Sequence, residues 1–388
     1  MAAKHRALDS PAAPAAVAAV GGTFFVLMRL VLVAKDDITR FVLAGSDFVN
    51  GLAPRGLYVF PKSPGYDGEF YYRLALDPLN LSRSAFGIRW DSAFRVERIG
   101  YPTLSWLAAA GNRSLIPDTE VAVNILALTV LGWLGGVLAQ QAGRHAAWGL
   151  LVAGFWGFLF SIGRDLPEVV ASCFLVGGLL VLRAGRPVVA GLLLGGAVLT
   201  LETTFDLVVA VALVDLWSLL KRHHRPVHQE AAWIIPGLAF GAWQLYALAD
   251  IGILPLRSSG QDNLSAPFVH MLGALVHYLQ GLPSTGAAIW LSEFAVLAVV
   301  VVVAACCLRS SAVRSWERAA WAAALVLALC LSSGIWYGRA DFRAYEDLYL
   351  FSVIVLLGSK VSSRALWIPA GLISVIWVMT FVHRAVRL

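Results

Sequence analysis

The sequence predicts an all-α fold, a polytopic transmembrane helical bundle of about 11 spans with a long outer first loop carrying short interfacial helices. Three observations predict it. Hydrophobic residues make up 59% of the 388 positions and charged residues only 14%, where a soluble domain carries roughly a quarter charged residues. Apolar runs near the length of a bilayer crossing recur along the chain. Cations and carboxylates also segregate to alternating loops.

The apolar runs fall at 16–34, 120–140, 146–163, 167–184, 187–201, 204–220, 231–250, 285–308, 319–336, 347–359 and 365–383. The first follows Lys4 and Arg6 and continues through Leu30–Val33 with no cleavage site after it, so it reads as a retained signal anchor. With the N-terminus cytoplasmic, one side collects Lys4, Arg6, Arg144, Arg183, Arg186, Lys221, Arg222, Arg225, Arg309, Arg314, Arg318, Lys360 and Arg364. This is the positive-inside pattern. Only Asp9, Glu230 and Glu317 are acidic there, and Asp206, Asp215 and Glu293 lie within spans. All the other acidic residues fall on the opposite side or at its boundary. The tail, with Arg384 and Arg387, is a mild violation. The expectation is one integral-membrane domain over 1–388, in the cell (inner or plasma) membrane.

Two outer segments stand out. The stretch 35–119 carries Tyr58, Tyr66, Tyr71, Tyr72, Trp90, Tyr101 and Trp106, rings that favour a membrane–water boundary. Phe70–Leu76 and Pro102–Ala110 read as short helices lying along it. In 251–284, Phe268, Leu272, Leu275 and Leu279 recur at helical spacing and suggest another interfacial helix. Nucleic acid is excluded as a partner, since no polar domain carries a basic stripe interleaved with aromatics. Cys173, Cys306, Cys307 and Cys330 sit in apolar runs and form neither a disulfide nor a zinc framework. His223, His224 and His228 belong to a basic loop, and His270 with His277 lacks a third zinc ligand.

Candidate chemistry gathers at the outer boundary. Tyr66-Asp67-Gly68-Glu69-Phe70-Tyr71-Tyr72-Arg73 crowds carboxylates, an arginine and aromatics together. Asp67-Gly68 is a turn dipeptide. It equally fits a carboxylate under an aromatic lid, whose desolvation would raise its pKa and suit a general base. Arg95 and Arg98, three apart, would share a helical face and could grip a phosphate, anchor to headgroups or pair with Glu97. In Arg164-Asp165-Leu166-Pro167-Glu168, Asp165 reads as an N-cap with Glu168 as its capping-box partner, and Arg164 opens onto the same surface as Asp67. Thr203 reads as a cap beside Glu202. The cluster 339–347, with Arg343, either closes over a site or forms a solvated hairpin. Arg29 within the first span either snorkels or points at a lipid phosphate.

At Tyr66–Tyr72, and again at Arg98-Ile99-Gly100-Tyr101-Pro102, the sequence resembles bacterial integral-membrane glycosyltransferases of the GT-C superfamily. Arg164–Glu168 looks like that family's Asp-Leu-x-Glu element and Glu202-Thr203-Thr204 like its Arg-Glu-Thr element, with Leu201 where arginine is expected. The resemblance implies an enzyme that moves a sugar from a polyprenyl-phosphate carrier to a glycan or lipid acceptor on the non-cytoplasmic face. Asp67 would be the base, with Asp36 and Asp37 as competitors. Glu69, Tyr71, Tyr72, Arg95, Arg98, Arg164, Asp165, Glu168, Glu202 and Arg343 would bind substrate. Some members of the superfamily use a divalent metal, so a metal at Asp67 stays open. Two readings from other classes stand beside it: a lipid or solute transporter, and a non-catalytic membrane assembly protein. A transporter would place its charges near the midplane on repeated halves, whereas here they gather at the outer boundary.

Overall fold

The computed structural model describes residues 9–221, 230–258 and 263–386. Lys4, Arg6, Arg222, Arg225, Arg387 and the histidines of the 222–229 loop lie outside the described residues. Among the described residues the fold is all-α apart from two two-stranded ribbons, Ala44–Gly45 with Val59–Phe60 and Ser84–Ala85 with Ile88–Arg89.

Each expected apolar run coincides with helix. Among the described residues, five helices are long and apolar enough to cross a membrane: Ala12–Leu32, Arg113–Gln141, Ala231–Ile251, Thr285–Cys307 and Ser363–Val386. That is expected of a membrane protein. Glu168–Arg183, Phe205–Leu220 and Ser315–Cys330 have 16 residues each, Pro187–Thr200 has 14 and Glu346–Leu357 has 12. At about 1.5 Å per residue, even 16 residues fall short of a hydrocarbon core of about 30 Å. The run at 146–163 is broken into Ala146–Gly149, Leu150–Ala153 and Gly157–Ile162. Every residue of Glu346–Leu357 is buried, so this helix meets protein on all sides and its all-round apolarity needs no lipid to explain it.

Both expected groups of loops gather at separate ends. At one end, Arg343 reaches Asp67 and the Tyr278 hydroxyl donates to the Tyr337 carbonyl. Trp243 Nε1 donates to the Val96 carbonyl there. At the other end, Arg144 donates to the carbonyls of Leu357, Ser359 and Val361, and Arg183 pairs with Glu317. The tail's departure from the charge pattern has a local cause. Arg384 is buried at the Asp67 end in a two-bond pair with Asp341, at 2.6 and 2.5 Å.

The outer segment differs from expectation. It folds around a small core of its own, built from Val42, Val49, Phe70, Leu74, Leu81 and Trp90 among others. The helix Gly68–Leu76 is buried along its whole length and does not lie on a boundary, because its aromatic side chains pack inward against this core. Tyr71, Tyr72 and Tyr101 are likewise core residues. The helix Val269–Gln280 does show the expected outward apolar face, with Val269, Leu272, Val276 and Leu279 exposed and Ala274 and Tyr278 turned inward.

Candidate active site

The site is assembled where Gly68–Leu76 begins. Gly68 lies against the start of the 164–168 hairpin so closely that a Cβ there would sit 2.4 Å from the Arg164 carbonyl oxygen and 2.8 Å from that of Val42. Glycine is therefore required by close approach, not by a turn: no positive φ occurs at Gly68, while Gly65 has φ +65°. Asp67 takes the N-cap position but makes no capping bond. Its carboxylate faces two arginines instead. Arg95 Nη1 forms an ion pair with Oδ1 at 2.7 Å, and Arg343 Nη2 donates to Oδ2 at 3.0 Å.

These arginines come from distant chain positions, each with a local reason for its place. Ser92 caps the 3-10 turn Ala93–Glu97, its hydroxyl accepting from the Phe94 N–H at 3.3 Å. That turn points Arg95 at Asp67, while its Nε and Nη2 hold Asp91 at 2.9 and 2.7 Å. Arg98 ends the same turn and forks onto Glu202 at 2.8 and 2.6 Å, with Nη1 donating to the Tyr71 hydroxyl at 2.8 Å. Pairing of these arginines with Glu97 is not what forms: Glu97 is buried and accepts from Gln244 at 2.9 Å. Arg343 also donates through Nη1 to Glu168, at the N-terminus of Glu168–Arg183, where the helix dipole favours a carboxylate.

Tyr71, Arg98 and Glu202 thus form one cluster, whose Arg98 charge acts on Asp67, beside the network of Asp67, Arg95, Glu168 and Arg343. Arg164 joins it across Tyr66, its guanidinium 4.7 Å from the Tyr66 ring centre and 4.4 Å from that of Phe160. Three expected site residues are elsewhere. Tyr72 packs in the outer core, and Glu69 is buried and accepts from the Gly45 N–H at 2.8 Å. Asp165 is buried at φ +50° with no hydrogen bond to either oxygen. Asp165 is not the N-cap, because the helix starts two residues later than such a cap requires. Pro167 holds the cap position without a side-chain bond. Thr203 does not cap either: it lies inside the short turn Glu202–Thr204. Asp37 closes its own turn, accepting from the Thr39 N–H at 3.0 Å, so it is placed for folding and away from the network. Arg29 turns inward from the surface of its helix. It is buried and ties the carbonyls of Gly163 and Arg384 together at 3.1 and 2.6 Å.

Electrostatics overturn the expected direction at Asp67. Burial pushes its pKa up, but the charges of Arg95, Arg343 and Arg98 outweigh burial and hold it down at about 2. The raised carboxyl is Glu69, lifted to about 8 mainly by burial, with Gly45 opposing. Burial and then the charge of Glu202 lift Glu97 to about 7. A divalent metal at Asp67 does not fit: both oxygens already lie in ion pairs with guanidiniums, and among the described residues no three or more His, Cys, Asp or Glu could hold an ion. His277 packs against the Tyr337 ring, 5.4 Å between centres.

Beside the network opens a cavity of about 350 Å³. Tyr66, Phe160, Trp290, Phe342 and Tyr345 supply its rings, and Arg164, Arg339 and Arg343 its charge. Among the described residues, neither Arg164 nor Arg339 has a carboxylate within ion-pair distance.

No protein-family model, curated protein or solved structure matches the chain. The site therefore rests on its own geometry. Arg339 and Phe342 lie in the cluster 339–347, which does border a cavity, while sequence reasoning missed Trp290 and Asp91, whose spacing of four from Arg95 was a usable signal. It also missed a buried polar group of Glu120, Asn124 and Tyr101, in which Asn124 donates to the Tyr101 hydroxyl at 3.0 Å and to the Leu166 carbonyl at 3.2 Å. A carboxylate inside an apolar helix was the signal there.

Proposed function

We propose that the chain is an integral-membrane glycosyltransferase of about 11 crossings in the cell membrane. It moves a sugar from a polyprenyl-phosphate donor to an acceptor hydroxyl on the non-cytoplasmic face. The observation that carries this reading is the juxtaposition of Asp67 with an arginine-bearing, aromatic-walled cavity. Arginine forks suit a phosphate, and aromatic faces suit the apolar faces of a sugar ring. The shorter helices would complete the crossings together with the five long ones, buried against one another in the bundle.

In the proposed step the acceptor oxygen attacks the anomeric carbon and Asp67 takes the hydroxyl proton. The bond from the anomeric carbon to the phosphate oxygen breaks, and polyprenyl phosphate leaves with the electron pair. Arg164, Arg339 and Arg343 stabilise the charge that builds on the leaving phosphate. Direct displacement inverts the anomeric centre. With both oxygens held by arginine, Asp67 is ionised but a poor proton acceptor, so donor binding has to release it.

A proton- or ion-coupled transporter is the second reading, favoured by Glu120 and Asp165, whose four carboxyl oxygens are buried without hydrogen-bond partners. Glu120 lies only four residues into Ile116–Gln141, about 6 Å along it, and therefore near one end and not at a midplane.

The deciding experiment is transfer from a labelled polyprenyl-phosphate sugar to a panel of acceptors by purified protein. Asp67→Asn should lower transfer about a hundred- to ten-thousand-fold, the usual contribution of general-base catalysis, with donor binding retained. Asp77→Asn, whose carboxylate lies at the far end of the same helix, should cost little. Wild-type transfer by Asp67→Asn would remove Asp67 from the mechanism.

A further inference from the structure

The arrangement that makes Asp67 a poor base also contains the means of freeing it. Of the two arginines on its carboxylate, only Arg343 lines the cavity. Arg95 is held on its far side by two bonds to Asp91 and does not border the cavity. Arg343 has a second anchor in Glu168, so its guanidinium can leave Asp67 without leaving the site. We propose that Arg343 hands over from Asp67 Oδ2 to the phosphate of the donor, so that arrival of the donor itself unmasks the base. The proposal rests on the glycosyltransferase reading for the identity of the phosphate.

Three features support the handover. First, the donor's phosphate is a diester whose two free oxygens share one negative charge and match the arginine fork, and it gains a second charge as the sugar leaves. Arg164 and Arg339, neither with a carboxylate partner among the described residues, add to its hold in the same cavity. Second, the oxygen released is Oδ2, the one that Arg343 holds. Oδ1 stays with Arg95, which fixes the carboxylate's orientation. Third, the segment presenting Arg343 is held in an unfavourable shape. Asp341 and Phe342 are consecutive non-glycine residues at φ +50° and +55°, a conformation that persists only where the surroundings impose it. The Arg384 fork on Asp341 imposes it here. Segments of this kind recur at switch positions.

The groups facing Asp67 are Arg95, Arg98 and Arg343, with Glu69, Tyr71 and Glu168 behind them. Of these, only Arg343 both touches Asp67 and borders the cavity. Loss of one adjacent cation moves a carboxyl midpoint upward by about one unit or more.

The test reads the Asp67 carboxyl directly, by infrared difference spectra of wild type against Asp67→Asn across pH, with and without a short-chain prenyl phosphate methylated in place of the sugar, a diester like the donor. Inorganic phosphate and the matching prenyl alcohol are the other arms. Trp290, in the cavity wall, reports occupancy by fluorescence. The expected result is a rise in the Asp67 midpoint of about one unit or more with prenyl phosphate and none with the alcohol. A rise with inorganic phosphate as well would show that the phosphate alone drives the exchange; a rise with the lipid only would show that the tail delivers it. In Arg343→Gln the midpoint should start high and stay unmoved, and Arg343→Lys should restore part of the response. Occupancy by prenyl phosphate with an unmoved wild-type midpoint overturns the proposal, as does failure of prenyl phosphate to bind at all. Binding is read on wild-type protein alone, and the midpoint needs only the near-isosteric Asp67→Asn as the spectral reference, so neither result depends on how the Arg343 variants fold. A midpoint that shifts without any sugar transfer would leave the handover intact and remove the transferase reading instead.

Discussion

Arginine does different work at the two ends of this bundle. Around Asp67 it meets carboxylates: Arg95 with Asp67 and Asp91, Arg98 with Glu202, Arg343 with Asp67 and Glu168. At the opposite end it mostly meets backbone. Arg144 takes three carbonyls after the helix Glu346–Leu357, Arg314 takes the Arg183 carbonyl, and Arg318 takes that of Ser311. Among the described arginines there, only Arg183 pairs with a carboxylate, that of Glu317. A guanidinium on the last carbonyls of a helix fastens a chain end. A guanidinium on a half-buried carboxylate holds a charge in readiness. The residue type is the same, and its acceptor separates a fastening from a site.

Glycine gives the sharpest way to break this comparison. Gly68→Ala should destabilise by about 3 kcal/mol or more and abolish activity, because two backbone oxygens stand where the Cβ would go. Gly237→Ala, inside Ala231–Ile251 with open space around it, should be neutral or stabilising by up to about 1 kcal/mol. Thermal unfolding in detergent compares the two, and equal effects would mean that the helix start is not packed as described.

The arginines come next. Arg98→Gln strands Glu202 and the Tyr71 hydroxyl, and should cost roughly 2 kcal/mol together with a tenfold or greater loss of donor binding; Glu202 keeps some exposure, which holds the cost below that of a fully buried pair. Arg144→Gln should cost about 1–2 kcal/mol through lost carbonyl bonds and leave donor binding unchanged. Donor titrations beside melting curves check both. Loss of binding in Arg144→Gln would erase the distinction between the ends.

A pH series sharpens the contrast within one helix. Glu69 stays protonated in the folded state up to about pH 8, whereas an unfolded glutamate ionises near 4.3. Between those values the native state holds the extra proton, so stability falls as pH rises and levels off above the upper one. Glu69→Gln should remove that slope in melting curves taken from about pH 5 to about pH 8.5. Asp67 has the opposite sign. Its folded value of about 2 lies below the unfolded one, so the stability it lends is complete above about pH 4 and is lost as pH falls through the folded value. Parallel curves for wild type and Glu69→Gln would show that Glu69 is not held neutral.

The sequence by itself determined the helical fold, the division of loops between two ends and the neighbourhood of the site. These depend on composition and on local spacing: apolar runs of bilayer length, arginines three apart, a carboxylate beside aromatics. Tertiary structure decided the rest. Arg98 and Glu202 are 104 positions apart and Arg343 and Asp67 are 276 apart, and no local pattern records which cation faces which anion. The expected rise at Asp67 became a fall for that reason, since burial is legible from an aromatic surround but the partner is not. Gly68 shows the same limit: as half of an Asp-Gly dipeptide it reads as a turn, and only the chain folded against it shows that the missing side chain makes room for the carbonyl of Arg164.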